Sequence, residues 1–217
     1  MKKIILDLCG GTGSWSLPYK KAGYEVINIT LPDFDVTTFL YSSDYLYFSN
    51  NPLLNIKLRL KVKIANIYGI LAAPPCTMFS FAQTTAKTPR DFAGAMAIVK
   101  VCLEIIWKVR INGKLKFWAL ENPQDYLRQF LGRPAFNFQP YDFGEHYSKQ
   151  TDIWGYFNLP KKHPIKLTER ELLQSKNNTR PLPKLPTGYK PIVENQTQAR
   201  RAMTPQGFAL AFYKANK

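Results

Sequence analysis

The stretch that most constrains this chain is residues 67 to 83, IYGILAAPPCTMFSFAQ. A short apolar run bounded by breakers is the pattern of a strand buried on both faces, the usual state of a parallel strand. Pro74 and Pro75 end the run and stiffen its exit, because each fixes φ and removes a backbone donor. Cys76 is thereby presented on a rigid loop past the carboxyl end of a central strand. In open α/β sheets ligands bind at that end. Cys76 therefore reads as a nucleophile around which the chain is built.

The flanking sequence repeats the strand pattern. KIILDL (3–8) reads as a first buried strand, CGGTGS (9–14) as a glycine-rich turn, and residues 15 to 22 as a helical stretch. Such a turn lets the backbone approach a ligand and aims free helix N–H groups at it. Its glycines stand at 10, 11 and 13, so it is neither G-x-G-x-x-G nor a P-loop. Asp7 suits either a ligand's ammonium or the loop's own N–H groups. YEVINIT (24–30) reads as the second strand. A ribose-binding acid belongs near its end, where Thr30, Asp33 and Asp35 stand. Residues 36 to 66 are polar, aromatic and lysine-rich, with a turn signal at 49–52, and suggest no chemistry.

Thr88, Pro89 and Asp91 open a helix. From 92 to 109 its apolar residues, Ala95, Ile98, Val99, Cys102, Leu103 and Ile106, recur at core-facing spacing, so Cys102 reads as packing. Asn112 and Gly113 end it. KFWALE (116–121) is the next strand, closed by Glu121, Asn122 and Pro123. Glu121 either meets the Cys76 loop or caps a helix beginning near Gln124. Residues 135–143 and 150–157 suggest an antiparallel hairpin at the sheet edge. Residues 158 to 195, rich in proline and lysine, read as an extended basic segment, and 198 to 217 as helical pieces parted at Thr204-Pro205. The chain divides into 1–157, 158–197 and 198–217, with a mostly parallel α/β sheet.

At 217 residues this is one domain with at most a small appendage. No apolar run is long enough to span a bilayer, and MKKIILDLCGG is broken too early by Asp7 for a signal peptide. Three dispersed cysteines and two histidines form neither a disulfide framework nor a zinc site. A reducing, cytoplasmic setting is expected, with no metal and no membrane partner. Net charge is +15, which favours a polyanionic partner, nucleic acid above all.

In combination these motifs resemble the cytosine-C5 DNA methyltransferase family, and most closely its compact, phage-type members. LDLCGGTGSWS (6–16) looks like the family's cofactor motif, keeping Asp7, Leu8, Gly11 and Gly13, with Cys9 for an aromatic and Ser14 for the last glycine. APPCTMFS (73–80) matches the catalytic P-P-C loop, and LENP (120–123) the E-N-V motif with Pro123 for valine. YSKQTDIW (147–154) resembles Q-x-R-x-R, with Lys149 and Thr151 at the arginine positions. ARRAMTPQGFALAF (199–212) is similar to the closing motif. The family's large target-recognition domain has no counterpart; only 158–197 occupies that interval.

The resemblance implies a Rossmann-like, class I methyltransferase fold with an antiparallel edge hairpin. It implies S-adenosylmethionine as cofactor, held by Asp7, Leu8, Cys9, Gly10, Gly11, Thr12, Gly13, Ser14, Thr30, Asp35, Val36 and Pro74. Cys76, Glu121 and Lys149 become the expected catalytic residues. Pro75, Ser80, Asn122 and Thr151 become expected substrate contacts. DNA is the implied partner. RNA, free dCMP, and a non-catalytic nucleic-acid-binding module are the rival readings.

Overall fold

The computed structural model describes residues 2–50, 60–81, 89–189 and 196–217. A six-stranded sheet runs through the middle of the chain in the order β2-β1-β6-β7-β9-β8. Its strands are β1 (Ile4–Leu8), β2 (Glu25–Ile29), β6 (Ile67–Ala72), β7 (Phe117–Pro123), β8 (Phe136–Phe138) and β9 (Thr151–Tyr156). β2, β1, β6 and β7 are mutually parallel. β9 is antiparallel to both β7 and β8, so the expected edge hairpin forms, with β8 outermost. This is a Rossmann-like α/β fold, a mostly parallel sheet with an antiparallel edge.

The apolar runs take the central places because both faces of those strands are covered. Ile4, Leu6 and Leu8 of β1 point into one core and Ile5 into the other. Ile70 and Ala72 of β6 alternate with Leu71 in the same way. The first core is closed by α2 (Phe92–Asn112), which buries Val99, Cys102, Ile105, Ile106 and Val109. Asp91 caps this helix by accepting the Gly94 N–H at 2.8 Å; Thr88 lies outside the described residues. The second core is aromatic. Trp15, Tyr19 of α1 (Leu17–Lys21), Phe117, and Phe208 and Phe212 of α6 (Gln206–Ala215) meet there. Gly69 in β6 belongs to this packing: a Cβ there would run into the Phe117 ring.

Two elements depart from expectation. Residues 35 to 63 hold a separate antiparallel sheet, β3 (Asp35–Tyr41), β4 (Tyr45–Ser49) and β5 (Leu60–Lys63). It buries Leu46, Phe48 and Val62 in the α2 core. The basic segment also carries a helix, α4 (Glu169–Lys176), opened by a Thr168/Glu171 capping box and burying no residue. α5 (Gln196–Ala202) and α6 flank Thr204-Pro205 as expected. Asn216 returns the chain end to the sheet, exchanging hydrogen bonds with the Asn158 backbone at 2.8 and 3.0 Å. Among the described residues no helix is long and apolar enough to cross a membrane.

Candidate active site

The loops at the carboxyl ends of β1, β6 and β7 open into one cleft of about 120 Å³. Its wall is built from the glycine turn (Asp7, Cys9, Gly10, Gly11, Thr12, Trp15), the Ala73–Cys76 loop, and Glu121, Pro123 and Lys149. Tyr189, Ala199, Ala202 and Thr204 complete it from the C-terminal part of the chain.

The glycine turn is held by backbone geometry that few residues tolerate. Cys9, Gly11 and Gly13 have φ of 55°, 52° and 69°. The Cys9 N–H donates to the Ile29 carbonyl at 2.8 Å and Gly13 N–H to Gly10 at 2.8 Å. A side chain on Gly10 would collide with the Asp7 carboxyl and Asn28 Oδ1 together. Asp7 is wholly buried and accepts the Ser16 hydroxyl at 2.5 Å. Burial, only partly offset by that hydrogen bond, pushes its carboxyl up to about 7. The Cys9 thiol shares a hydrogen bond with the free Cys102 thiol and is raised well above its ordinary range by that contact and by burial. Ser14 accepts the Thr204 N–H at 2.9 Å, tying the C-terminal segment to the turn.

Cys76, Glu121 and Lys149 share the opposite part of the cleft. Burial raises the Cys76 thiol; Lys149 opposes this and Glu121 adds to it. Burial likewise raises Glu121, with Lys149 pulling down and Asp152 pushing up. Glu121 sits inside β7, and the next helix, α3 (Leu127–Leu131), starts beyond it with Tyr126 as N-cap. Glu121 is therefore not a helix cap. Lys149 is positioned from both ends: its N–H donates to Gln139 Oε1 at 2.9 Å and Nζ to the Arg201 carbonyl at 3.4 Å.

Several expected contacts stand off the cleft. Asn122 is fully buried and donates to the Pro74 carbonyl at 3.0 Å, fixing the proline loop to β7. Thr151 is buried and donates to the Lys149 carbonyl at 3.0 Å. Ser80 bonds to Asp125 and its N–H to the Cys76 carbonyl at 2.9 Å, closing the turn after the cysteine. Leu8 and Val36 are core residues. Asp35 accepts the Thr37 N–H and hydroxyl at 2.8 and 2.7 Å, and the Thr30 carbonyl accepts the Phe34 N–H at 2.9 Å. Neither Thr30 nor Asp35 lines the cleft. Conversely, Trp15, Tyr189 and Thr204 line it without having been singled out in the sequence. Only the position of Trp15 directly after the glycine turn pointed to it.

Among the buried polar atoms beside the turn with no hydrogen-bond partner are Asp7 Oδ1, an acceptor, and Trp15 Nε1, a donor. They are complementary to the ammonium and carboxylate of an amino-acid moiety, so the residues present fit the methionine end of S-adenosylmethionine. Among the described residues no cluster of His, Cys, Asp and Glu side chains is placed to hold a metal ion.

No protein-family model matches the chain, and no curated protein matches it. Among solved structures, the Entamoeba histolytica methyltransferase EhMeth is similar over 77% of this chain at 13% identity and a TM-score of 0.36. The chain spans 58% of that protein's length.

Proposed function

We propose that this protein transfers a methyl group from S-adenosylmethionine to carbon 5 of cytosine in DNA, through a covalent bond between Cys76 and carbon 6. The observation that carries the reading is the convergence of Cys76, Glu121 and Lys149 in one cleft with the glycine turn. When bound beside Asp7, Trp15 and Thr204, the cofactor supplies an electrophilic methyl group.

Carbon 5 of cytosine is a poor nucleophile until the ring is made electron-rich. Cys76 Sγ, as thiolate, adds to carbon 6 and forms a C–S bond, pushing the ring electrons toward N3 and C5. Glu121, whose carboxyl burial pushes upward, donates its proton to N3, so the ring becomes a neutral enamine able to attack through C5. Lys149 offsets the thiolate charge before attack. After methylation the C5 proton leaves to water, the C–S bond breaks, and the N3 proton returns to Glu121. A thiol of ordinary pKa about 8.5 needs help to ionise, and here burial makes the need greater. Lys149 supplies part of that help.

In a duplex, the target base must leave the stack, at a cost of a few kcal/mol. The +15 charge supports a polyanionic substrate that offsets part of this through phosphate contacts. The test is transfer of labelled methyl from the cofactor to duplex DNA, single-stranded DNA, RNA and dCMP in parallel. Labelling of DNA at carbon 5 of cytosine is expected. Labelling of RNA or dCMP alone would reassign the substrate, and no transfer to any of them would refute the reading.

A further inference from the structure

The outer face of the small β3-β4-β5 sheet has no part in the cleft. In its register Tyr45 lies opposite Lys63, and Tyr47 opposite both Lys61 and Leu40. Side chains alternate across a strand, so these five residues share one face, while Leu46, Phe48 and Val62 share the other and are buried. The two tyrosine rings are 6.4 Å apart between centroids, and Lys61 Nζ stands 3.8 Å from the Tyr45 centroid. Leu40 is 54% exposed.

From these observations we propose that this face is a binding platform for single-stranded DNA, separate from the cleft. Three features favour that occupant. Two adjacent, half-buried tyrosines on one sheet face offer ring surface on which successive bases can stack, whatever their identity. Lys61 and Lys63 stand opposite the two rings on the neighbouring strand, where they can meet phosphates, and neither pairs with a carboxylate among the described residues. Asp44 lies in the turn beside the face, and the Asp35 carboxylate accepts from Thr37, so neither belongs to the ring-and-lysine cluster. The chain as a whole is strongly cationic, at +15. Stacking demands unpaired bases, which selects a single strand over a duplex. The choice of DNA rather than RNA rests on the proposed methyl-transfer reading; the platform itself does not.

The test is fluorescence-anisotropy titration of the full chain with a labelled oligo-dT at three salt concentrations, with oligo-rU and a duplex as competitors. Tyr45→Ala/Tyr47→Ala is expected to weaken oligo-dT binding by about tenfold or more, and Tyr45→Phe/Tyr47→Phe to retain it. Lys61→Gln/Lys63→Gln is expected to flatten the log-affinity against log-salt slope by up to about 1.4. All three leave the buried face intact, so circular dichroism should match wild type. Unchanged oligo-dT affinity in the alanine variant, or an equal loss on duplex, would overturn the platform. Tighter competition by oligo-rU would overturn the assignment to DNA. Because binding is read without turnover, repeating it in Cys76→Ala separates this result from any failure of methyl transfer.

Discussion

Replacing Asp7 by asparagine should make the protein more stable at neutral and alkaline pH. Asp7 is fully buried, its Oδ1 has no partner, and its carboxyl is raised from 3.8 to about 7. Below pH 3.8 it is protonated in both folded and unfolded chains and costs nothing. Between 3.8 and about 7 the unfolded chain ionises while the folded one keeps its proton, so the folded state loses ground as pH rises. Above about 7 the loss levels off at about 4 kcal/mol, from roughly three pH units at 1.36 kcal/mol each. Asparagine at this position still accepts the Ser16 hydroxyl through its oxygen. Its amide faces Asn28 Oδ1, a buried acceptor that now has no donor. Urea unfolding of both proteins from pH 5 to pH 8 reads the effect. Relative to Asp7→Asn, wild type should lose about 2.5 kcal/mol over that interval. Parallel curves for the two proteins would refute the burial argument.

Glu121→Gln keeps the shape of the side chain but has no proton to give N3. The chemical step should fall by roughly 10²-fold with cofactor affinity unchanged in calorimetry; unaltered turnover would contradict the acid role. Lys149→Met should shift the pH midpoint of Cys76 alkylation by iodoacetamide upward, read site by site by peptide mass spectrometry, and Lys149→Arg should restore it. In the basic segment Lys162 is held by Asp142 at 2.8 Å and by the Asn137 carbonyl at 3.1 Å. Neutralising Lys161, Lys166 and Lys176 should therefore flatten the salt dependence of duplex binding by up to about one unit per contact. Loss confined to one of two unrelated duplex sequences would show base reading instead.

The central strands were legible because burial on both faces writes them as unbroken apolar runs. Such a run heads each of IILDL, IYGILA and FWALENP, and each leads into residues that line the cleft: Asp7, the Ala73–Cys76 loop, and Glu121. Helix α2 was legible from its spacing and from Asp91 at its start. The β3-β5 sheet was not, because YLYFS carries aromatic residues on both faces and so hides its alternation. Helix α4 had its signal, Thr168 followed by Glu171, but the surrounding prolines read as irregular chain. At the site, Cys76 and Glu121 were marked by their place after a strand. Ser80 and Asn122 stand close to those markers in sequence, and Thr151 close to Lys149, yet their side chains hold the local structure: Ser80 on Asp125, Asn122 on the Pro74 carbonyl and Thr151 on the Lys149 carbonyl. Tyr189 and Thr204 reach the cleft only through tertiary folding of the C-terminal segment, which local pattern does not encode.

The account turns on a bond between Cys76 and carbon 6 of cytosine. Duplex DNA carrying 5-fluorocytosine blocks the last step, because the fluorine on carbon 5 cannot leave as a proton does. Incubated with S-adenosylmethionine and this DNA, wild type should give an intact mass equal to protein plus methylated oligonucleotide, and peptide mapping should place the link on Cys76. Cys76→Ala should give only free protein, while Cys102→Ala, altered in the core behind Cys9, should still be trapped. Methyl transfer to cytosine without a trapped adduct, or an adduct that persists in Cys76→Ala, would contradict the mechanism.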